Sequence, residues 1–231
     1  MAAYLNEEGP DMFDLSRQGS VYVLTMNAGE NRFNRSSIDA INRALDEVEK
    51  ETGEAALVTT GSGKFYSNGL DLDWLGGSEC DDRPAFIRDV QRLLARFLVF
   101  PRPTVAAANG HVFAAGAMML LAHDFSVMRV DRGFFCLPEV DIGIPFTNGM
   151  AALIGSKLPQ PAFHEACTTG KRYGGADAAR ASIVSEAVAE AEVLPRAITR
   201  AAELASKDKG TLGAIKRVLY APAVTALESG T

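Results

Sequence analysis

Twice in this chain a short apolar run leads straight into a glycine-bearing loop and then into a helix, at 55–75 and again at 103–122. That repeated strand–turn–helix unit constrains the fold more than any other feature. The runs "AALVTTG" (55–61) and "RPTVAAANG" (102–110) lack the polar alternation of a half-exposed strand, so they read as strands covered on both faces, as in parallel sheets. Parallel neighbours need crossover connections, and the helical patterns between the runs supply them. The fold class is therefore α/β.

The remaining segments fit that frame. "FDLSRQGSVYVLTMN" (13–27) reads as a hairpin around a Gln-Gly-Ser turn. "SSIDAINRALDEVEK" (36–50) places Ile38, Ile41, Leu45 and Val48 at helical spacing, with serines positioned to cap it. "RPAFIRDVQRLLARFLVF" (83–100) puts Phe86, Val90, Leu93, Leu94 and Phe97 on one helical face, with Pro84 in the first turn. "AAGAMMLLAHD" (114–124) is a small-residue helix suited to the core, and "FSVMRV" and "GFFCL" read as further strands. From Gly149 onward helical patterns dominate. No linker divides the chain, so a single domain over 1–231 is expected, with a strand-rich part to about 148 and a helical part over about 149–231.

Several function classes are excluded early. The net charge is −6 with acids and bases interspersed, leaving no basic stripe for nucleic acid. Apolar runs are broken well before membrane-spanning length, and "MAAYLNEEGPDMF" lacks the basic-then-apolar order of a signal peptide. Cys80, Cys136 and Cys167 are scattered and odd in number, as expected of free thiols in a reducing compartment, and no metal is expected. In "GSGKFYSNG" Tyr66 stands where a dinucleotide fingerprint needs its third glycine, and Val58 stands where a P-loop needs its first. His111, His123 and Asp124 have no G-x-S-x-G elbow to serve.

The turns themselves point to chemistry. A helix entered through small residues presents unpaired N–H groups and the positive end of its dipole, which suit an anion or a developing oxyanion. "SNGLD" and "NGHVFAAGA" both have this form, and two such turns on neighbouring parallel strands can converge on one oxygen.

With both turns in view the sequence resembles the crotonase superfamily, the enoyl-CoA hydratases and isomerases. "KFYSNGLDLDWL" is similar to the family's first oxyanion segment, "AAANGHVFAAGAMMLLAHDFSVM" to its second, and "GFFCLPEVDIGI" to the segment carrying a catalytic acid. The likeness runs from about 13 to 205. It implies a spiral of ββα units with a helical C-terminal region. It also implies a homotrimer or dimer of trimers acting on an acyl-CoA thioester. Coenzyme A would be part of the substrate, with no other cofactor. The oxyanion amides fall on Leu70 and Ala115, and Ala114-Ala115-Gly116 stands where the fullest motif has three glycines. Family hydratases use two glutamates; here the first position is Met118 and the second is Glu139. A thioether cannot activate water, whereas one carboxylate can move a proton from C2 to C4. The resemblance therefore implies a Δ3,Δ2-enoyl-CoA isomerase of fatty acid oxidation, with Glu139 as acid and base; the alternatives are a hydratase or another crotonase reaction working with Glu139, or a non-catalytic acyl-CoA-binding relative. Phe134, Phe135, Met118 and Phe146 would form an apolar wall that raises the pKa of Glu139.

The resemblance further places CoA against "NRFN" (31–34) and the loop from Lys64 to Asp71. Arg32 and Lys64 would meet its phosphates, and Ser67, Asn68, Gly69 and Asp71 would form the loop. The acyl chain would lie on Trp74, Leu75, Met118 and Phe146. Trp74 has an equal reading as core packing, and Asp71 and Asp73 also read as charges at a helix N-terminus. The C-terminus "ALESGT" is not an S-K-L signal, so the bacterial cytoplasm is the expected compartment, with peroxisome and mitochondrial matrix open.

Overall fold

The computed structural model describes residues 12–230. Residues 1–11, most of the segment read above as lacking a signal peptide, lie outside that range, as does Thr231. Strands β1 (Phe13–Gln18) and β2 (Val21–Met26) form the expected antiparallel hairpin. Helix α1 (Arg35–Lys50) buries Ile38, Ile41, Leu45 and Val48. Its cap is Asn34 rather than a serine. The Asn34 side chain accepts from the Ser37 amide, and Ser37 Oγ accepts in return from the Asn34 amide at 2.8 Å. An asparagine oxygen reaches that amide as well as a serine does, and Ser37 closes the reciprocal half of the box.

The chain then makes three turns of a spiral, each laying one strand in a large sheet and the next in a small one before a helix. The first turn is β3 (Ala56–Gly61), β4 (Phe65–Ser67), α2 (Leu72–Gly76) and α3 (Arg83–Leu98). The second is β5 (Thr104–Ala108), β6 (His111–Phe113) and α4 (Ala115–Ala122). The third is β7 (Phe125–Arg129), β8 (Phe135–Cys136) and α5 (Glu139–Ile142). Helices α6 (Asn148–Lys157), α7 (Gln160–Thr169) and α8 (Gly175–Arg180) follow, then a strand β9 (Glu186–Val188). Helices α9 (Glu190–Leu204), α10 (Lys209–Leu219) and α11 (Ala221–Ser229) complete the described chain. The large sheet runs β1-β2-β3-β5-β7-β9 and the small one β4-β6-β8, with every pair after the first hairpin parallel.

The region after Gly149 is thus not wholly helical: β9 closes the large sheet beside β7, pairing Val127 with Glu186. Three residues of "EAV" among alanines and glutamates carry no strand signal, because the backbone ladder and not side-chain packing fixes this edge. The apolar runs of the sheet are explained by cover on both faces. Leu24, Met26, Leu57, Ala106 and Met128 pack in the core with α1, α3 and α4. Val21, Val23, Val58, Val105 and Val127 face Val193, Ala197 and Ala201 of α9. Among the described residues no helix is long and apolar enough to cross a membrane.

Candidate active site

The three motif-bearing segments follow the carboxyl ends of the three small-sheet strands. Ser67 pairs with Val112 and Phe113 with Cys136, so the ends of β4, β6 and β8 stand side by side. After β4 comes the turn to Leu70, after β6 the entry to α4, and after β8 the Pro138-Glu139 pair. The spiral delivers to one place three segments that are distant in sequence.

At the first turn the Phe33 amide donates to Gly69 O at 2.7 Å and the Asp71 amide to Phe33 O at 3.0 Å. These bonds bracket Leu70 and leave its own N–H turned away from Phe33, with no acceptor among the described residues. At the second turn Ala115 is the first residue of α4, and its N–H is one of the donors that a helix start leaves free. The two turns touch: a Cβ added to Gly69 would lie 2.8 Å from Ala114 Cβ and 3.0 Å from Ala115 N. Gly69 also has φ +81°, and Ala114, without glycine's freedom, has φ +51° and ψ −126°. One residue on, a Cβ at Gly116 would meet Ser67 at 2.7 Å, so α4 sits directly on β4.

Glu139 opens α5 and is only 7% exposed. Its Oε2 has no hydrogen-bond partner among the described residues. Burial pushes the carboxyl up to about 7, opposed only by its own amide. Leu70, Ala115, Met118 and Glu139 line one cavity of about 550 Å³. Its other carboxylate is Asp73, whose exposed side chain is paired with Arg32 at 3.0 Å.

The remaining sequence-predicted residues divide. Arg32 and Asn68 line the cavity, and Glu30 holds both, Arg32 Nε donating at 2.7 Å and Asn68 Nδ2 at 2.8 Å. Ser67 lies beneath the first turn, its Oγ donating to Asn31 O at 2.8 Å and accepting from the Gly69 amide at 3.2 Å. Asp71 caps α2, accepting from the Trp74 amide, as its alternative reading had it. Trp74 packs edge-on against Phe86 at 4.7 Å and does not line the cavity. Lys64 faces a separate hollow beside His111, its ammonium 5.4 Å from the Phe65 ring. Phe146 packs on the main core outside the cavity lining.

The apolar wall around Glu139 is accordingly not the one expected. Phe135 is buried within the small sheet, whereas Phe134, just ahead of β8, is exposed and lies beside the His111 ring. Of the four residues expected in that wall Met118 alone lines the cavity, where Phe113 and Met150 join it.

Two contributions escaped the sequence reading. Asn31, buried at φ +50°, accepts from the Ala28 amide and donates to Phe65 O and Tyr66 O, fixing the loop under the first turn. The end of α5 and the segment leading to α6 add Ile142, Ile144, Pro145 and Thr147 to the lining. Its signal was present: two isoleucines on either side of a glycine and next to a proline stand where no long strand or helix can bury them. His123 takes no part. It is buried and neutral, its pKa pushed down to about 3, with Nδ1 on Met119 O and Nε2 on Thr59 Oγ1.

A parallel spiral that brings two amide-presenting turns and a buried, unpaired carboxylate to one cavity has the architecture of the crotonase fold. The chain belongs to the enoyl-CoA hydratase/isomerase family, whose model matches residues 16–231. It is 36% identical over 182 residues to enoyl-CoA delta isomerase 3 of Arabidopsis thaliana, covering 76% of each chain. It is 30% identical to carnitinyl-CoA dehydratase of Escherichia coli, covering 88% of this chain and 78% of that one. Among solved structures, the enoyl-CoA isomerase of Mycobacterium tuberculosis superposes with a TM-score of 0.86 at 28% identity, covering 95% of this chain and 96% of the other.

Proposed function

We propose that this cavity isomerises 3-enoyl-CoA thioesters to trans-2-enoyl-CoA, a step in the oxidation of unsaturated fatty acids. The observation that carries the reading is the lone acid. Glu139 reaches the cavity buried and unpaired, and the nearby wall position held by a second glutamate in hydratases is Met118. The similarity to the Arabidopsis delta isomerase supports it.

The steps balance without a metal or redox partner. Glu139 Oε2 takes a proton from C2, and the C–H electron pair becomes the C1–C2 double bond of a dienolate. The charge gathers on the thioester oxygen, where the N–H groups of Leu70 and Ala115 donate to it. Glu139 then returns the proton to C4, leaving the double bond between C2 and C3. Each preformed donor contributes about 10²–10³ in rate. A carboxyl of pKa about 7 suits both halves, since it is basic enough to take the proton and acidic enough to give it back. Arg32 is assigned to the CoA phosphates, exchanging its Asp73 partner for them, and the active form is assigned as a homotrimer or a dimer of trimers.

A dehydratase-type reaction would also form an enolate held by the same two amides, from which the C3 hydroxyl leaves as water, and the similarity to carnitinyl-CoA dehydratase favours it as the second reading. Absorbance of the conjugated product from 3-hexenoyl-CoA, beside a hydration assay on 2-hexenoyl-CoA, separates them. Isomerisation without hydration, lost in Glu139→Gln, is expected. Hydration at a comparable rate would overturn the single-acid reading.

A further inference from the structure

The cavity wall has an apolar side that the proton transfer does not use. Ile142, the last residue of α5, and Ile144, two residues on, are 48% and 40% exposed, yet both line the cavity that holds Glu139. Pro145 follows Ile144, and Ile87 of α3 and Met150 of α6 extend the surface inward. The charged lining, by contrast, is confined to Arg32, Asp73 and Glu139. Exposed isoleucines at the lip of an apolar cleft leave a surface that a ligand's apolar part covers on binding. Trp74, the sequence candidate for an acyl contact, is spent on Phe86.

Resting on the acyl-CoA reading above, we infer that the Ile142–Pro145 segment and Ile87 form an open-ended groove for the substrate's hydrocarbon tail. This groove makes the enzyme selective for medium- and long-chain acyl-CoA over short. The groove is continuous with the cavity of Glu139, so a thioester held by the amides of Leu70 and Ala115 extends its tail along it. Because Ile142 and Ile144 are half open to solvent, the groove has no end wall at this lip, and added methylenes gain apolar cover there. Full burial of one methylene changes affinity about fourfold. Four methylenes half covered then give roughly fifteenfold.

The test is calorimetric binding of saturated hexanoyl-CoA and decanoyl-CoA to the full chain, which needs no turnover. Decanoyl-CoA is expected to bind at least tenfold tighter, with a more negative heat-capacity change. Ile142→Asp and Ile144→Asp are each expected to reduce that ratio at least fivefold while far-ultraviolet circular dichroism confirms the fold. Equal affinities for the two chains, or a ratio that survives both substitutions, would overturn the groove. Binding with the expected ratio but no isomerisation of 3-decenoyl-CoA would overturn the proposed reaction and leave the groove standing. Isomerisation with no chain-length preference would do the reverse.

Discussion

The two amide-presenting turns, to which the proposed mechanism gives the same work, are built from different residues. The first turns on Gly69, at φ +81°; the second turns on Ala114, at φ +51° and ψ −126°, where an L side chain is strained. The difference is explained by their contact. The Ala114 methyl lies against the space that Gly69, lacking a Cβ, leaves open, since a methyl on residue 69 would come within 2.8 Å of it. The pair tolerates one Cβ but not two. The departure from the family's glycine pattern at 114 is therefore absorbed by its neighbour across the sheet, and the Ala115 N–H, the donor the proposed mechanism uses, is kept.

The largest expected effect removes the group that both turns serve. Glu139→Gln should lower kcat by about 10²–10⁴, leaving whatever the two amides achieve alone. The same variant should be more stable than the parent at pH 8, by up to about 3 kcal/mol. The folded carboxyl titrates near 7 and the unfolded one near 4.5, so between those values only the folded chain holds the proton. Stability therefore falls as pH rises through that window, and the variant's advantage should vanish below about pH 5 in urea titrations. An advantage that stayed constant with pH would show that the carboxyl is not desolvated.

Gly69→Ala breaks the comparison from its rigid side. It adds the second methyl and forces a side chain to positive φ, and kcat/KM should fall about 10²–10³-fold as the Leu70 donor is displaced. Placing it on an Ala114→Gly background relieves the clash but not the backbone strain. A double-mutant cycle on stability should then give a coupling of at least about 0.5 kcal/mol; additivity would mean that the turns do not touch. The smallest effect is Ala114→Gly alone. Relief of positive-φ strain should raise stability by about 1 kcal/mol, a shift of some 2–4 °C in Tm, with isomerisation retained. A lower Tm would show that the Ala114 methyl packs better than its backbone suffers.

Much of this was legible in the sequence because it rests on local pattern. The hairpin, α1, α3, the buried strands and the glycine turns all follow from periodicity and turn chemistry that neighbours in sequence determine. Glu139, Leu70 and Ala115, which line one cavity, could be singled out because each sits at a strand-to-helix junction with a recognisable motif. What escaped depends on long-range placement. The second sheet is built from strands of two or three residues, too short for any pattern to register, yet it brings the motifs together. Trp74 and Phe134 had the character of pocket residues, but tertiary packing set one against Phe86 and the other beside His111. Lys64, near the turn in sequence, stands before β4 and Leu70 after it, so the length of that strand separates them.

The central claim is that one buried carboxyl, working with two fixed amides, is both acid and base. Its most direct test is the pH dependence of kcat/KM for isomerisation of 3-hexenoyl-CoA. A single ionisation near pH 7 is predicted, with activity falling tenfold per pH unit below it and level above it to pH 9. A flat profile, or a bell that needs a second titrating group, would contradict a mechanism carried by Glu139 alone.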